Sequence, residues 1–164
     1  MQAWLANTSE GSKRAYTKRS SIIQIAIADD HAIFRRALRR LLETETDFRV
    51  VAEFGDSGEL CGAMDNLRAD VLLLDIHMPG PDQLEIMAMA HRYIGSTAVV
   101  ALTAFDDDSL LSAMVSSGAT GFLLKTIEPE RLFDALRRAA AGEALFTREQ
   151  LARAHRWRDS VEQL

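Results

Sequence analysis

Cysteine occurs once, at Cys61, so neither an internal disulfide nor a cysteine-built zinc site can form, and a reducing compartment suits the chain. On an apolar helix face, Cys61 is expected to be buried and inert. No stretch approaches the ~20 consecutive apolar residues that cross a bilayer, and residues 1–20 hold no apolar run like the core of a signal peptide. A cytoplasmic protein with no membrane partner is expected. Lys and Arg number 19 against 24 Asp and Glu, a formal charge of −5. That balance disfavours nucleic acid, whose binding rests on clustered cations, and it favours a divalent metal. No glycine-rich run ends in Gly-Lys-Ser or Gly-Lys-Thr, which excludes a P-loop. His31, His77, His91 and His155 are scattered without metal-ligand spacing and read as solvated.

The chain does have the material of a packed core: 48% of its 164 residues are apolar and 26% charged, enough for one domain with short appendages. Residues 1–20 carry Lys13, Arg14, Lys18 and Arg19 against Glu10 and show no clear period, which predicts a mobile basic tail. From residue 22, β-branched or Leu-rich runs alternate with segments of helical period, the pattern of βα units. The runs Ile22 to Ala28, Phe48 to Phe54, Val71 to Leu74, Ala98 to Leu102 and Thr120 to Leu124 predict five strands. Between them lie apolar stripes such as Phe34, Leu38, Leu41 and Leu42; Leu60, Met64 and Leu67; and Leu132, Phe133, Leu136 and Ala140. Near-continuous apolar strands flanked by amphipathic helices mean a parallel sheet covered on both faces. Right-handed crossovers then favour a doubly wound, flavodoxin-like α/β fold of strand order 2-1-3-4-5. The expected domain spans 21–144. Past it, Thr147 is placed to cap a final helix with a narrow stripe of Leu151, Ala154, Trp157, Val161 and Leu164. That segment, 145–164, reads as a linker or dimerisation helix, or as one that docks back on the same domain.

Ligands of open α/β sheets sit beyond the carboxyl ends of the strands. The residues there are Asp29 and Asp30 after strand one, Asp75 at strand three, Thr103 at strand four and Lys125 at strand five. Three carboxylates meeting at one edge repel each other unless a cation lies among them, and hard oxygen donors select Mg²⁺ or Mn²⁺. Mg²⁺ takes one or two carboxylates plus phosphate oxygens, leaving a carboxylate free to attack phosphorus. A carboxylate needs no general base for that attack; it needs cations for the charge on the transferred group, and Lys125 supplies one. A hydroxyl at Thr103 can donate to phosphoryl oxygens and tie the loop after strand four to the modification.

The motifs Asp29-Asp30, Leu-Leu-Leu-Asp75-Ile-His-Met-Pro-Gly, Ala101-Leu-Thr-Ala and Gly118-Ala-Thr-Gly-Phe-Leu-Leu-Lys125 resemble the receiver domain of two-component response regulators over residues 22–145. The run Ala28-Asp-Asp-His-Ala-Ile-Phe-Arg-Arg-Ala-Leu is similar to the NarL/FixJ subfamily in particular. The resemblance implies a phosphoacceptor switch of a transcriptional regulator rather than an enzyme, with at most slow self-dephosphorylation. It implies Asp75 as phosphoacceptor, Asp30 as a direct metal ligand, Asp29 as one acting through water, and the His77 backbone carbonyl completing the protein's share of the shell. Thr103 and Phe122 would form the switch pair, Phe122 turning inward when Thr103 engages the phosphoryl group. A sensor histidine kinase is the implied phosphoryl source, and a homodimer the implied product. The subfamily's helix-turn-helix domain follows about where this chain stops, so DNA binding by this chain itself is not expected.

Two departures from the family pattern stand out. Gln83 occupies a position where Gly is usual, which questions the local loop shape, and Thr126 follows Lys125 where proline in a cis bond is common. Two other functions compete. A haloacid-dehalogenase-type phosphohydrolase also uses a strand-end Asp with Mg²⁺, but its second Asp is replaced here by His77. A pseudo-receiver would keep the fold and act without phosphorylation. The plainest readings of the acids are Asp30 as a helix N-cap and Asp75 as a turn-forming strand end.

Overall fold

A computed structural model describes residues 21–164; the basic tail predicted over 1–20 lies outside them. The order is β1 (Ile23–Ala28), α1 (Ala32–Leu42), β2 (Phe48–Phe54), α2 (Ser57–Ala63), β3 (Val71–Asp75), α3 (Gln83–Tyr93), β4 (Ala98–Thr103), α4 (Asp108–Ser116), β5 (Gly121–Leu124), α5 (Pro129–Ala140) and α6 (Arg148–Glu162). The five strands run parallel in the order β2-β1-β3-β4-β5, as the crossover argument predicts.

Strand alternation explains why both faces are apolar. Ile25, Ile27, Val71, Leu73, Val100 and Leu102 face α1 and α5, where Leu38, Leu42, Leu132, Phe133 and Leu136 meet them. Their neighbours Ala26, Ala28, Leu72, Leu74, Val99, Ala101 and Phe122 face the other way, toward Leu60, Met64, Ile86, Met87, Leu111 and Met114. The helix stripes read from the sequence are thus core. One helix is shorter than its stripe: α2 ends at Ala63, and Met64 and Leu67 are buried from the turns that follow. Gly62 weakens the last turn, and Asp65-Asn66 compete for backbone hydrogen bonds.

Gln83 causes no irregularity. Asp82 caps α3 by accepting from Leu84 N and Glu85 N, so Gln83 is simply its first helical residue. The positive φ of this loop belongs instead to Gly80, at 107°, where a Cβ would meet Ser57 Cβ at 3.1 Å. No cis peptide occurs among the described residues, the Lys125–Thr126 bond included.

The C-terminal helix starts where the cap argument puts it: Thr147 and Gln150 form a reciprocal capping box. Its first half docks back on the domain. Ala154 is buried in the core cluster of α4 and Phe122, whereas Trp157, Val161 and Leu164 stay exposed. The lead-in also protects the sheet edge: Leu145 N donates to Thr120 O at 2.8 Å, and Gln150 Nε2 donates to Phe122 O at 3.1 Å. Gly121 is required there, because a Cβ would come within 2.8 Å of Leu145.

Candidate phosphoacceptor and metal site

Parallel registry assembles the site. Ala28 pairs with Leu74, which sets Asp29 beside Asp75 at adjoining strand tips. Asp75 pairs with Leu102, Thr103 pairs with Leu124, and Lys125 N donates to Thr103 O at 2.7 Å. Each residue is therefore delivered by a strand end and not by a long loop.

Asp29 and Asp75 are held alike. Each Oδ1 accepts from the amide two residues on, His31 N at 2.8 Å and His77 N at 2.9 Å. Each Oδ2 faces the same ammonium, Lys125 Nζ, at 2.7 Å from Asp29 and 3.0 Å from Asp75. Both side chains are only 2% exposed. Burial lowers the Lys125 pKa, but hydrogen bonds and Coulombic attraction from Asp29 and Asp75 outweigh it and leave the value above that of a free lysine. The ammonium also lies over the Phe34 ring, 4.6 Å from its centroid.

Asp30 is not a helix cap, since His31 holds the N-cap position of α1 and makes no side-chain cap. Instead Asp30 joins the acidic group, and its Oδ1 is buried without a hydrogen bond. Asp75 does form the turn expected of a strand-end Asp while also pairing with Lys125.

Three carboxylates against one ammonium leave two negative charges uncompensated at the strand tips. Unit charges ~4 Å apart interact by about 4 kcal/mol at an effective dielectric near 20, so a divalent cation is strongly favoured. The donor set is chiefly carboxylate oxygen, with Asp30 Oδ1 buried and without a hydrogen bond, which fits a hard cation such as Mg²⁺.

His31 is solvated, as the sequence predicts, but it also borders the acid group. Its side chain is 66% exposed, yet Nδ1 lies 3.2 Å from Asp29 Oδ1, 3.2 Å from Asp30 Oδ1 and 3.7 Å from Asp75 Oδ2. The missed signal was local: the turn closed by Asp29 on His31 N points the residue after the acid pair back at it. His77 keeps an exposed ring, stacked edgewise on Phe105 at 5.3 Å.

Thr103 is fully buried, and its hydroxyl serves its own loop: Phe105 N donates to Oγ1 at 3.1 Å, with His77 Nδ1 3.5 Å away. Phe122 is 3% exposed, in the cluster that includes Ala154 of α6. Asp29, Asp30, Asp75 and Lys125 are thus brought into one group, Thr103 stands at its rim, and Phe122 lies on the face beneath α6.

A five-stranded parallel sheet with an acid group, a lysine and a hydroxyl at its C-terminal edge defines a class of phosphorylatable signalling modules. Residues 25–137 match the response regulator receiver domain, and the chain belongs to that family. Its relatives place it with regulators of the NarL/FixJ type. The nitrate/nitrite response regulator protein NarP of Escherichia coli is 37% identical over 76% of this chain and 58% of its own length. A LuxR-family two-component response regulator from Aurantimonas superposes with a TM-score of 0.74 at 26% identity, covering 84% of this chain and 99% of that one. The isolated receiver domain of RcsB from Salmonella enterica, in the presence of the phosphomimetic BeF3⁻, gives 0.70 at 32% identity, covering 80% and 97%. The chain spans somewhat over half the length of the curated relatives it matches. No described helix is long and apolar enough to cross a membrane.

Proposed function

We propose that Asp75 accepts a phosphoryl group from a sensor histidine kinase and that the modification switches the output of a transcriptional regulator. The observation that carries this reading is the shared ammonium: Lys125 holds two carboxylates whose Oδ1 atoms are each fixed by a backbone amide.

One Asp75 oxygen attacks phosphorus, an O–P bond forms, and the bond from phosphorus to the donor's nitrogen or oxygen breaks with its electron pair going to the donor. A carboxylate nucleophile needs no general base for this attack. Lys125 stays paired to the modified side chain and offsets the charge that the phosphoryl oxygens bring. Mg²⁺, or Mn²⁺, would be held by Asp30 and Asp75 directly, by Asp29 through water and by the His77 carbonyl, and would supply the remaining positive charge. Thr103 would exchange its Phe105 partner for a phosphoryl oxygen, moving the loop before α4, with Phe122 as its switch partner. The remaining chemistry is slow loss of the phosphoryl group to water, not turnover of a substrate. Homodimerisation on phosphorylation is the output proposed for this chain, and no DNA contact is assigned to its receiver domain.

Incubation with Mg²⁺ and phosphoramidate or acetyl phosphate should add one phosphoryl group by intact mass, and Asp75→Ala should add none. An unchanged mass, or labelling that persists in the variant, would refute the proposal. Steady turnover of a phosphomonoester would favour the phosphohydrolase instead, and a dimer affinity indifferent to Asp75→Ala would favour the pseudo-receiver.

A further inference from the structure

The docked half of α6 is tied to the one loop that Thr103 governs. Arg153 donates through Nη2 to Asp106 Oδ1 at 2.8 Å and through Nε to Asp108 Oδ1 at 2.7 Å, with its side chain only 19% exposed. Asp106 lies in the β4–α4 loop and Asp108 opens α4, on either side of Asp107, the N-cap. Phe105, the residue before Asp106, is the present partner of the Thr103 hydroxyl. A guanidinium bridging two carboxylates across a short loop is sensitive to that loop's shape, because both bonds need the acids at a fixed separation.

Otherwise α6 docks by packing closely along α4 with few polar bonds. Ala154 contributes a small apolar contact, Gln150 adds one hydrogen bond to Phe122 O, and the helix is exposed from His155 onward. Helix propensity cannot hold such a segment down, since short isolated helices are marginal in water. Arg153 is therefore the largest polar tie between α6 and the domain, and it ends on the switch loop.

We propose that α6 is an intramolecular latch. With Asp75 unmodified, Arg153 and Gln150 hold it across α4 and β5; when the phosphoryl group draws Thr103 away from Phe105, Asp106 and Asp108 shift off Arg153 and the helix is freed. This rests on the phosphoacceptor reading above. Release opens α4 around Ala154 and the Phe122 carbonyl of the edge strand. Leu145 remains as the pivot, because its amide bond to Thr120 O and its seat over Gly121 do not involve the loop. Coupling is reciprocal, so weakening the latch also eases phosphorylation.

Amide hydrogen exchange of residues 148–162, read by mass spectrometry on the full chain in Mg²⁺, tests this. Adding beryllofluoride should speed α6 exchange by about tenfold, within the roughly 5- to 150-fold range of ordinary site couplings. Arg153→Ala should show comparable exchange without the mimic and should gain a phosphoryl group from phosphoramidate at least as fast as wild type. Arg153→Lys, which reaches one carboxylate at a time, should fall between. If the mass shows Asp75 phosphorylated while α6 exchange stays constant, or if Arg153→Ala keeps wild-type protection, the latch is wrong and the phosphoacceptor stands. If no phosphoryl group is gained, both fall.

Discussion

Asp30 has the least support of any acid at the strand tips: its neighbours Asp29 and Asp75 share a lysine, while its own buried oxygen has no hydrogen bond and only the exposed His31 ring within 3.2 Å. The folded protein carries this as an electrostatic cost, an ordinary feature of functional sites. Asp30→Asn should therefore raise stability in EDTA by about 1 kcal/mol, seen as a higher melting temperature. The same variant should lose most of the melting-temperature rise that Mg²⁺ gives the wild type, because only a ligand of the folded state stabilises it by mass action. Lys125→Ala removes the cation facing both Asp29 and Asp75, and its rate of labelling by acetyl phosphate should fall on the order of 10², measured by intact mass over time. Cys61 is half-buried, not buried as expected, but burial, and then the charge of Glu85, pushes its thiol pKa up, in line with the inertness read from its helix face.

Between elements, the firmest polar tie on the α1–α5 side is Arg137. It donates to both oxygens of Asp47, at 2.8 and 2.9 Å, to Glu45, and lies 4.8 Å from the centroid of the Phe48 ring. Its hydrogen bonds hold the Asp47 carboxyl below the usual carboxylate range. A depressed acid stabilises the fold above its unfolded pKa and loses that contribution as pH falls through the folded one. Arg137→Ala should thus cost about 1 kcal/mol at neutral pH, allowing for solvent screening of a partly exposed pair. Denaturant titrations should show the gap to wild type constant above pH ~5 and closing below pH ~4. At this scale the sequence was readable wherever periodicity or a cap spoke locally, as in the stripe of α1 or the Thr147 box. It was silent where segments far apart in the chain meet: nothing local joins Arg153 to Asp106, or Leu145 to Gly121. The doubt attached to Gln83 came from alignment with a pattern, and Asp82 and Gly80 remove it by supplying the cap and the positive φ themselves.

For the whole molecule, the strand order was legible because both faces of every central strand are apolar, and the acid group followed from it because strand tips at one edge must be neighbours. The identity of the assembled state was not, since the exposed Trp157, Val161 and Leu164 offer a contact without naming its partner. Sedimentation of the full chain with and without beryllofluoride should show dimer forming with the mimic and not in Asp75→Ala; a mass independent of both would assign any association to these exposed residues alone.

Parallel registry has a kinetic corollary. Asp29, Asp75, Thr103 and Lys125 come from four strands, and no two of those strands are joined by a tight turn. A nascent or partly collapsed chain therefore lacks the full charge constellation until its most distant pairing, β1 with β3, has closed. Assembly of the acid group with its lysine and completion of the sheet thus become one event.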